Sequence, residues 1–276
     1  MDKKVIVITG ANTGIGKAAA LQLAKAGHQV VMACRNTEKG QAALEEVKQA
    51  SGSDAVALML VDMSSQASIR AFAQAFNQKY DYLDVLIQNA ATFDITQKKA
   101  VYTDEGIESV WATNHVGPVL LTDLLLDALK RSVGGRVLTV ASKGLLAKPF
   151  LKVKLDDPEL KQARFSVEKA YYQSKLAQIM YTFWLADRFK ADGVTVNCIR
   201  VPAVRVDMAK YANLPKFLLK MYEMNSRSAL SPAEMAEVYA WAAVDETLNG
   251  ITGKYFDENK QPVTAPRFTL DPGNIQ

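Results

Sequence analysis

Short apolar runs recur along the chain and alternate with amphipathic stretches. Val5–Thr9 is brief and β-branched, with polar residues before it and glycine after, the pattern of a strand buried on both faces of a parallel sheet. Residues 29–33, 55–61, 85–88, 137–140 and 194–201 repeat that pattern, and 253–256 adds a last short strand. Between them the apolar positions shift to helical spacing over 17–25, 38–49, 66–79, 104–111, 114–129 and 171–189. A final helix opens at Ser231-Pro232, an N-cap followed by proline in the first turn, and runs to about 243. Strand and helix in strict alternation predict an α/β protein. Its sheet would be parallel and doubly wound, of about seven strands with helices on both faces. No linker or internal repeat interrupts the pattern, so one domain is expected over 1–276.

Three segments escape it. Residues 144–165 carry Pro149, Pro158, Lys148, Lys152 and Lys154, and read as a solvated loop with a short helix beside the cleft. Residues 208–224 are rich in Leu, Met, Phe and Tyr. This stretch, within 205–228, suits a lid over an apolar substrate, or a membrane-surface or partner-binding element. The tail from Lys260 holds three prolines and is expected to be loose.

Composition narrows the classes without choosing among enzymes. The 276 residues are 49% apolar and 22% charged, enough for a large core. The net charge of +4 comes from scattered basic residues, which gives no footprint for nucleic acid. Cys34 and Cys198 both fall inside strand patterns, so no disulfide framework is expected and a reducing compartment is. No apolar run approaches the ~18 residues of a membrane span, and the first is too short for a signal peptide. The expectation is a cytoplasmic protein.

Candidate chemistry gathers at the predicted strand ends. After the first strand comes Gly10-Ala11-Asn12-Thr13-Gly14-Ile15-Gly16 and then a helix. Glycines there let the backbone turn tightly and approach a pyrophosphate, while the helix N-terminus offers N–H groups to the anion. The second strand ends in Arg35-Asn36, with no Asp or Glu to accept from ribose hydroxyls. Arginine suits the 2′-phosphate of NADP instead. Asp62-Met63 follow the third strand, and Asp62 either meets an adenine amino group or caps the next helix, although Ser64 already suits that cap. Asn89-Ala90-Ala91 follow the fourth, small enough for a cofactor to pass or for a tight turn. Asn114 sits inside a helical pattern where asparagine is mediocre, either at a kink sharpened by Gly117-Pro118 or turned toward the site to hold a water. Ser142 follows the fifth strand. Tyr171 and Lys175 share one helix face, four residues apart, where a nearby ammonium favours the phenolate.

Together these residues resemble the short-chain dehydrogenase/reductase superfamily along most of the chain, and its retinol dehydrogenase-like branch in particular, with light-dependent protochlorophyllide reductase as a neighbour. The resemblance rests on Thr9-Gly10-x-x-x-Gly14-x-Gly16, Asp62, Asn89-Ala90-Ala91, Asn114, Ser142 and Tyr171-x-x-x-Lys175 in the family's order. Branch features are Ala33-Cys34-Arg35-Asn36, Asn114-His115-x-Gly117, Gln173-Ser174-Lys175-Leu176-Ala177 and Gly253-Lys254-Tyr255-Phe256.

It implies a Rossmann-type domain binding NADP(H) through the residues above and through Val204 after the sixth strand. Tyr171 would be the acid/base, Ser142 would hold the substrate oxygen, Lys175 would act on Tyr171, and Asn114 would anchor a relay water. The substrate would be a hydrophobic aldehyde, ketone or alcohol, with a homodimer possible through the long helices. Gln88, Val201-Pro202 and Val206 depart from the family pattern. A non-catalytic NADP-binding sensor, or a C=C or imine reductase, is the alternative on the same fold.

Overall fold

Seven strands form one sheet in the order β3-β2-β1-β4-β5-β6-β7, and every neighbouring pair is parallel. The strands are β1 (Val5–Thr9), β2 (Gln29–Cys34), β3 (Val56–Leu60), β4 (Val85–Ile87), β5 (Arg136–Ser142), β6 (Thr195–Val201) and β7 (Tyr255–Phe256). The computed structural model describes residues 2–205 and 229–275. The expected lid at 208–224, and Val206, lie outside the described residues.

β1 shows why such short runs suffice. All five of its residues are buried, and the two-residue strand period sends Ile6 and Ile8 to one face while Val5 and Val7 go to the other. The first face is covered by α1 (Gly14–Lys25), α2 (Thr37–Ser51) and α7 (Pro232–Val244). The second is covered by α3 (Gln66–Lys79), α5 (Gly117–Arg131) and α6 (Val167–Arg188). Among the described residues no helix is long and apolar enough to cross a membrane.

Several expected boundaries shift, each for a local reason. The helix expected over 104–111 begins only at Ser109 (α4, Ser109–Trp111), because Gly106 is left-handed at φ 75° and Glu108 is the N-cap, accepting from Trp111 N at 2.9 Å. Between α4 and α5 the chain makes a π turn over Ala112–Val116, which holds Asn114. β5 runs two residues beyond its expected end, so Ser142 is its last residue and pairs with Val201 of β6. Ser65, not Ser64, caps α3.

The segment from Lys260 is packed rather than loose. Val263 N donates to Tyr255 O, and Ala265 and Thr269 are buried.

Candidate active site

β1 lies between β2 and β4, so successive crossovers leave it in opposite directions and open a crevice beyond the strand ends. A cavity of about 550 Å³ occupies that crevice. It is lined by Gly10, Asn12, Thr13 and Ile15 from the turn into α1, by Arg35, Asn36, Asp62 and Met63, and by Asn89, Ala90 and Ala91 beyond β4. Eleven expected contacts thus meet in one trough.

The remaining two glycines work differently. Gly14, at φ 58°, makes the left-handed turn into α1. A Cβ at Gly16 would stand 2.6 Å from both Asn89 Nδ2 and Gly10 O, so that glycine permits close packing. Asn89 holds the same turn from the other side: its Nδ2 donates to Thr9 O at 2.9 Å and Gly10 O at 3.3 Å, and its Oδ1 accepts from Tyr239 of α7. No acidic residue stands in the first turn of α1 to oppose an anion.

At the far end of the trough Arg35 is largely exposed, with its guanidinium 4.0 Å from Asp62 Oδ2. Asp62 Oδ1 accepts from the Ser64 backbone and hydroxyl, so this carboxylate shapes its own turn and leaves the helix cap to Ser65. Asn36 caps α2, accepting from Lys39 N at 2.8 Å. Lys39 also lines the trough. Sequence reasoning missed it, although the Arg35-x-x-x-Lys39 spacing across a strand-to-helix junction was visible. Val204, beyond β6, forms a parallel bridge with Leu230.

A second cavity, about 170 Å³, continues the first toward β5 and β6, sharing Ile15, Asn89 and Ala91 with it. Ser142, Tyr171 and Lys175 line it, together with Tyr239, Val201 and Pro202. Ser142 Oγ accepts from Gly144 N at 3.2 Å, which leaves its own proton to donate, and it hydrogen-bonds Tyr171. Tyr171 stacks on Phe93 with ring centroids 4.4 Å apart. Lys175 Nζ lies 5.8 Å from the centroid of the Tyr171 ring and donates to Val140 O at 3.0 Å.

The electrostatics reverse one expectation. Burial pushes the Tyr171 hydroxyl up to about 12, with only the Ser142 hydrogen bond pulling it back. Burial also takes Lys175 down to about 8. Burial disfavours both charged forms, and Lys175 is not among the groups that lower the Tyr171 hydroxyl.

Asn114 is buried too, held on several sides. Oδ1 accepts from Thr92 N at 2.7 Å, and Nδ2 donates to Thr92 O and Ser174 Oγ, each at 3.1 Å. Its carbonyl accepts from Gln178 Nε2. Asn114 therefore ties the loop beyond β4 to α6. Gln178 and Thr92 carried no motif of their own, and Ser174 was legible only as part of the stretch around Lys175. Beside Ser142, Lys143 pairs with Glu258, and Arg200 stands 3.5 Å from the same carboxylate, securing the ends of β5 and β6.

A family model described as short chain dehydrogenase matches residues 4–151. Retinol dehydrogenase 13 of Homo sapiens is 34% identical over 266 residues, covering 95% of this chain and 78% of that protein. Retinol dehydrogenase 12 of the same organism is 36% identical over 264 residues, covering 96% and 80%. Among solved structures, L-sorbose reductase from Gluconobacter frateurii, complexed with NADPH and L-sorbose, superposes with a TM-score of 0.75. It is 22% identical and covers 93% of this chain and 95% of its own, a likeness of fold.

Proposed function

The chain belongs to the short-chain dehydrogenase family, on its retinol dehydrogenase-like branch, and from that premise we propose that it transfers hydride between NADP(H) and the carbonyl or alcohol group of a hydrophobic small molecule. The observation that carries this reading is the meeting of the two cavities. A glycine-lined trough ending at Arg35 and Lys39 opens into the chamber of Ser142, Tyr171 and Lys175. The residues fit the cofactor: Gly10 and Gly16 leave room where side chains would crowd the turn, and two cations meet at the end of β2, where a 2′-phosphate would need them.

When bound, NADPH supplies a hydride to the carbonyl carbon. The chain's own residues supply the rest. Ser142, with its oxygen already held by Gly144 N, turns its proton toward the substrate oxygen. Tyr171 is a phenol at neutral pH, the form that donates a proton as the alkoxide develops. Val140, Ala141, Val201 and Pro202 line the chamber with apolar surface, which favours a hydrophobic substrate. The names of the relatives, retinol dehydrogenases 12 and 13, point to a bulky primary alcohol or its aldehyde.

Binding of NADPH and NADH to wild type, Arg35→Ala and Lys39→Ala tests the reading. Each substitution removes one charge-assisted contact, so NADPH affinity is expected to fall about tenfold or more while NADH binding stays unchanged. Equal binding of the two nucleotides to wild type would defeat the NADP assignment, and binding of neither would defeat the oxidoreductase reading.

A further inference from the structure

α6 presents two working faces. At about 100° of rotation per residue, Ala177, Met180, Tyr181 and Trp184 fall largely on the side of the helix opposite Tyr171 and Lys175. Those four line a cavity of about 520 Å³ that shares no lining residue with the trough or the chamber. Its other wall comes from the segment 144–165, through Val153, Leu155 and Pro158. That wall is held to the helix. Gln173 Oε1 accepts from Lys154 N at 3.3 Å and Nε2 donates to Pro158 O at 2.6 Å, while Asp157 Oδ1 accepts from Lys161 N at 2.7 Å.

A neighbouring cavity, about 680 Å³, meets this one at Asn274, so the two form a single groove. Asn274 is itself fixed, its Nδ2 donating to Phe268 O at 3.0 Å. The ends of the groove differ in charge. Trp111, Tyr181 and Trp184 line one end, where burial takes His115 down to about 4, so that no charged side chain among the described residues lines it at pH 7. Lys152 and Arg267 line the other. Lys148, Lys154 and Lys161 each pair with a carboxylate, whereas Lys152 and Arg267 have no such partner among the described residues. Asp271 also lines this end, with Oδ1 accepting from Gly273 N, and two cations against one carboxylate leave the end positive. Around the groove Phe150 is 93% exposed, Leu155 57% and Leu270 50%. Large apolar side chains gathered in this way mark a contact site.

We propose that this groove binds a free long-chain carboxylate, its head at Lys152 and Arg267 and its chain along the aromatic wall of α6. The site is new to the molecule and does not depend on the oxidoreductase reading. Two exposed cations select an anionic head but add little affinity, so burial of the chain supplies most of it. Each cavity has the size of a small-molecule site. A second copy of the chain is a poorer occupant, because a two-fold contact needs a self-complementary face and this one is cationic at one end and aromatic at the other. A bilayer is poorer too, since a concave groove takes one chain lengthwise where a membrane offers a flat surface.

The tryptophans of the wall supply the test. Trp111 and Trp184 line the groove, while Trp241 packs on Phe256 elsewhere in the fold. The probe is ω-bromododecanoate, whose bromine quenches a tryptophan on contact. Saturable quenching is expected in wild type, and Trp184→Phe should remove a share of it. Lys152→Glu with Arg267→Glu should weaken binding about tenfold and leave quenching by ω-bromododecanol unchanged. Added salt should weaken the carboxylate and spare the alcohol. Dodecanoate should displace the probe about tenfold more effectively than decanoate. Both charge reversals fall on exposed side chains, and an unchanged melting curve shows the fold intact.

Absence of saturable quenching would overturn the proposal. So would equal quenching in the doubly reversed variant, which would place the chain elsewhere, or binding to anionic vesicles with none to the free carboxylate. A wild-type dimer that Trp184→Glu splits into monomers, with no carboxylate bound, would give the face to a second copy instead. Failure to bind NADPH bears on the oxidoreductase reading alone, a separate result.

Discussion

The two cavities sit side by side on one sheet edge and are built on opposite principles. The trough beyond β1 and β4 is lined by the turn into α1, by small residues beyond β4, and by an exposed cationic end at Arg35. The chamber beyond β5 and β6 is a third the size and holds groups whose protonation burial has moved: Tyr171 up to about 12 and Lys175 down to about 8. Backbone shape can bind an anion and a flat ring without desolvating any charge. Proton transfer needs side chains held where water does not level their acidity. The contrast assigns binding to one region and chemistry to the other, and each substitution below strikes one of them.

The largest effect is expected from Tyr171→Phe. The ring still stacks on Phe93 and fills the same space, so packing is preserved. Only the proton donor goes, and loss of a general acid costs about 10²–10⁴ in rate. Turnover should fall by that factor while NADPH affinity stays within about twofold. Steady-state kinetics beside a fluorescence titration of NADPH reads both, and a variant that still turns over at the wild-type rate would remove Tyr171 from the chemistry.

The same contrast explains what could be read from the chain alone. The trough is encoded contiguously: Gly10 to Gly16, then Arg35-Asn36, then Asn89 to Ala91, each directly after an apolar run. Strand periodicity places such motifs at one sheet edge without knowledge of any side-chain contact. The chamber is encoded at a distance. Ser142, Tyr171 and Lys175 were legible because they carry a motif, but Tyr239 reaches the site from α7, 68 positions after Tyr171. Whether Asn114 faces Lys175 or Thr92 depends on a π turn that no periodicity announces. Desolvation escaped for the same reason: spacing put Lys175 beside Tyr171, but the sign of the Tyr171 shift depends on how dry the chamber is.

Gly16→Val should damage the trough and leave the chamber's chemistry in place. Its Cβ would meet Gly10 O and Asn89 Nδ2 at 2.6 Å, and the branched side chain adds bulk with no room to relax. Overpacking of this kind costs ~2–3 kcal/mol of stability. The displaced Asn89 clamp should raise the KM for NADPH more than tenfold, with kcat at saturation within about threefold of wild type. Urea unfolding and a cofactor titration measure the two effects. If kcat collapses while KM holds, trough and chamber are not separable.

Lys175→Met asks the reverse question, whether the chamber's chemistry is maintained against the stability of the fold. In the unfolded chain this lysine titrates near 10.5, and in the folded protein burial lowers it to about 8. Between those values the unfolded state binds more protons than the folded one, so stability rises with pH across that window. The cost of burying the ammonium is fully present below about pH 8 and fades toward pH 10.5. A shift of this size corresponds to roughly 3 kcal/mol. Leaving Val140 O without its donor offsets part of that, so a net gain of about 1–2 kcal/mol at pH 7 is expected. The variant should therefore melt a few degrees above wild type at pH 7 and have almost no advantage at pH 10, while turning over negligibly at either. Calorimetry at the two pH values separates the charge from the packing. A Tm gap that is the same at both would mean that methionine merely packs better, and that the chamber imposes no electrostatic penalty on Lys175.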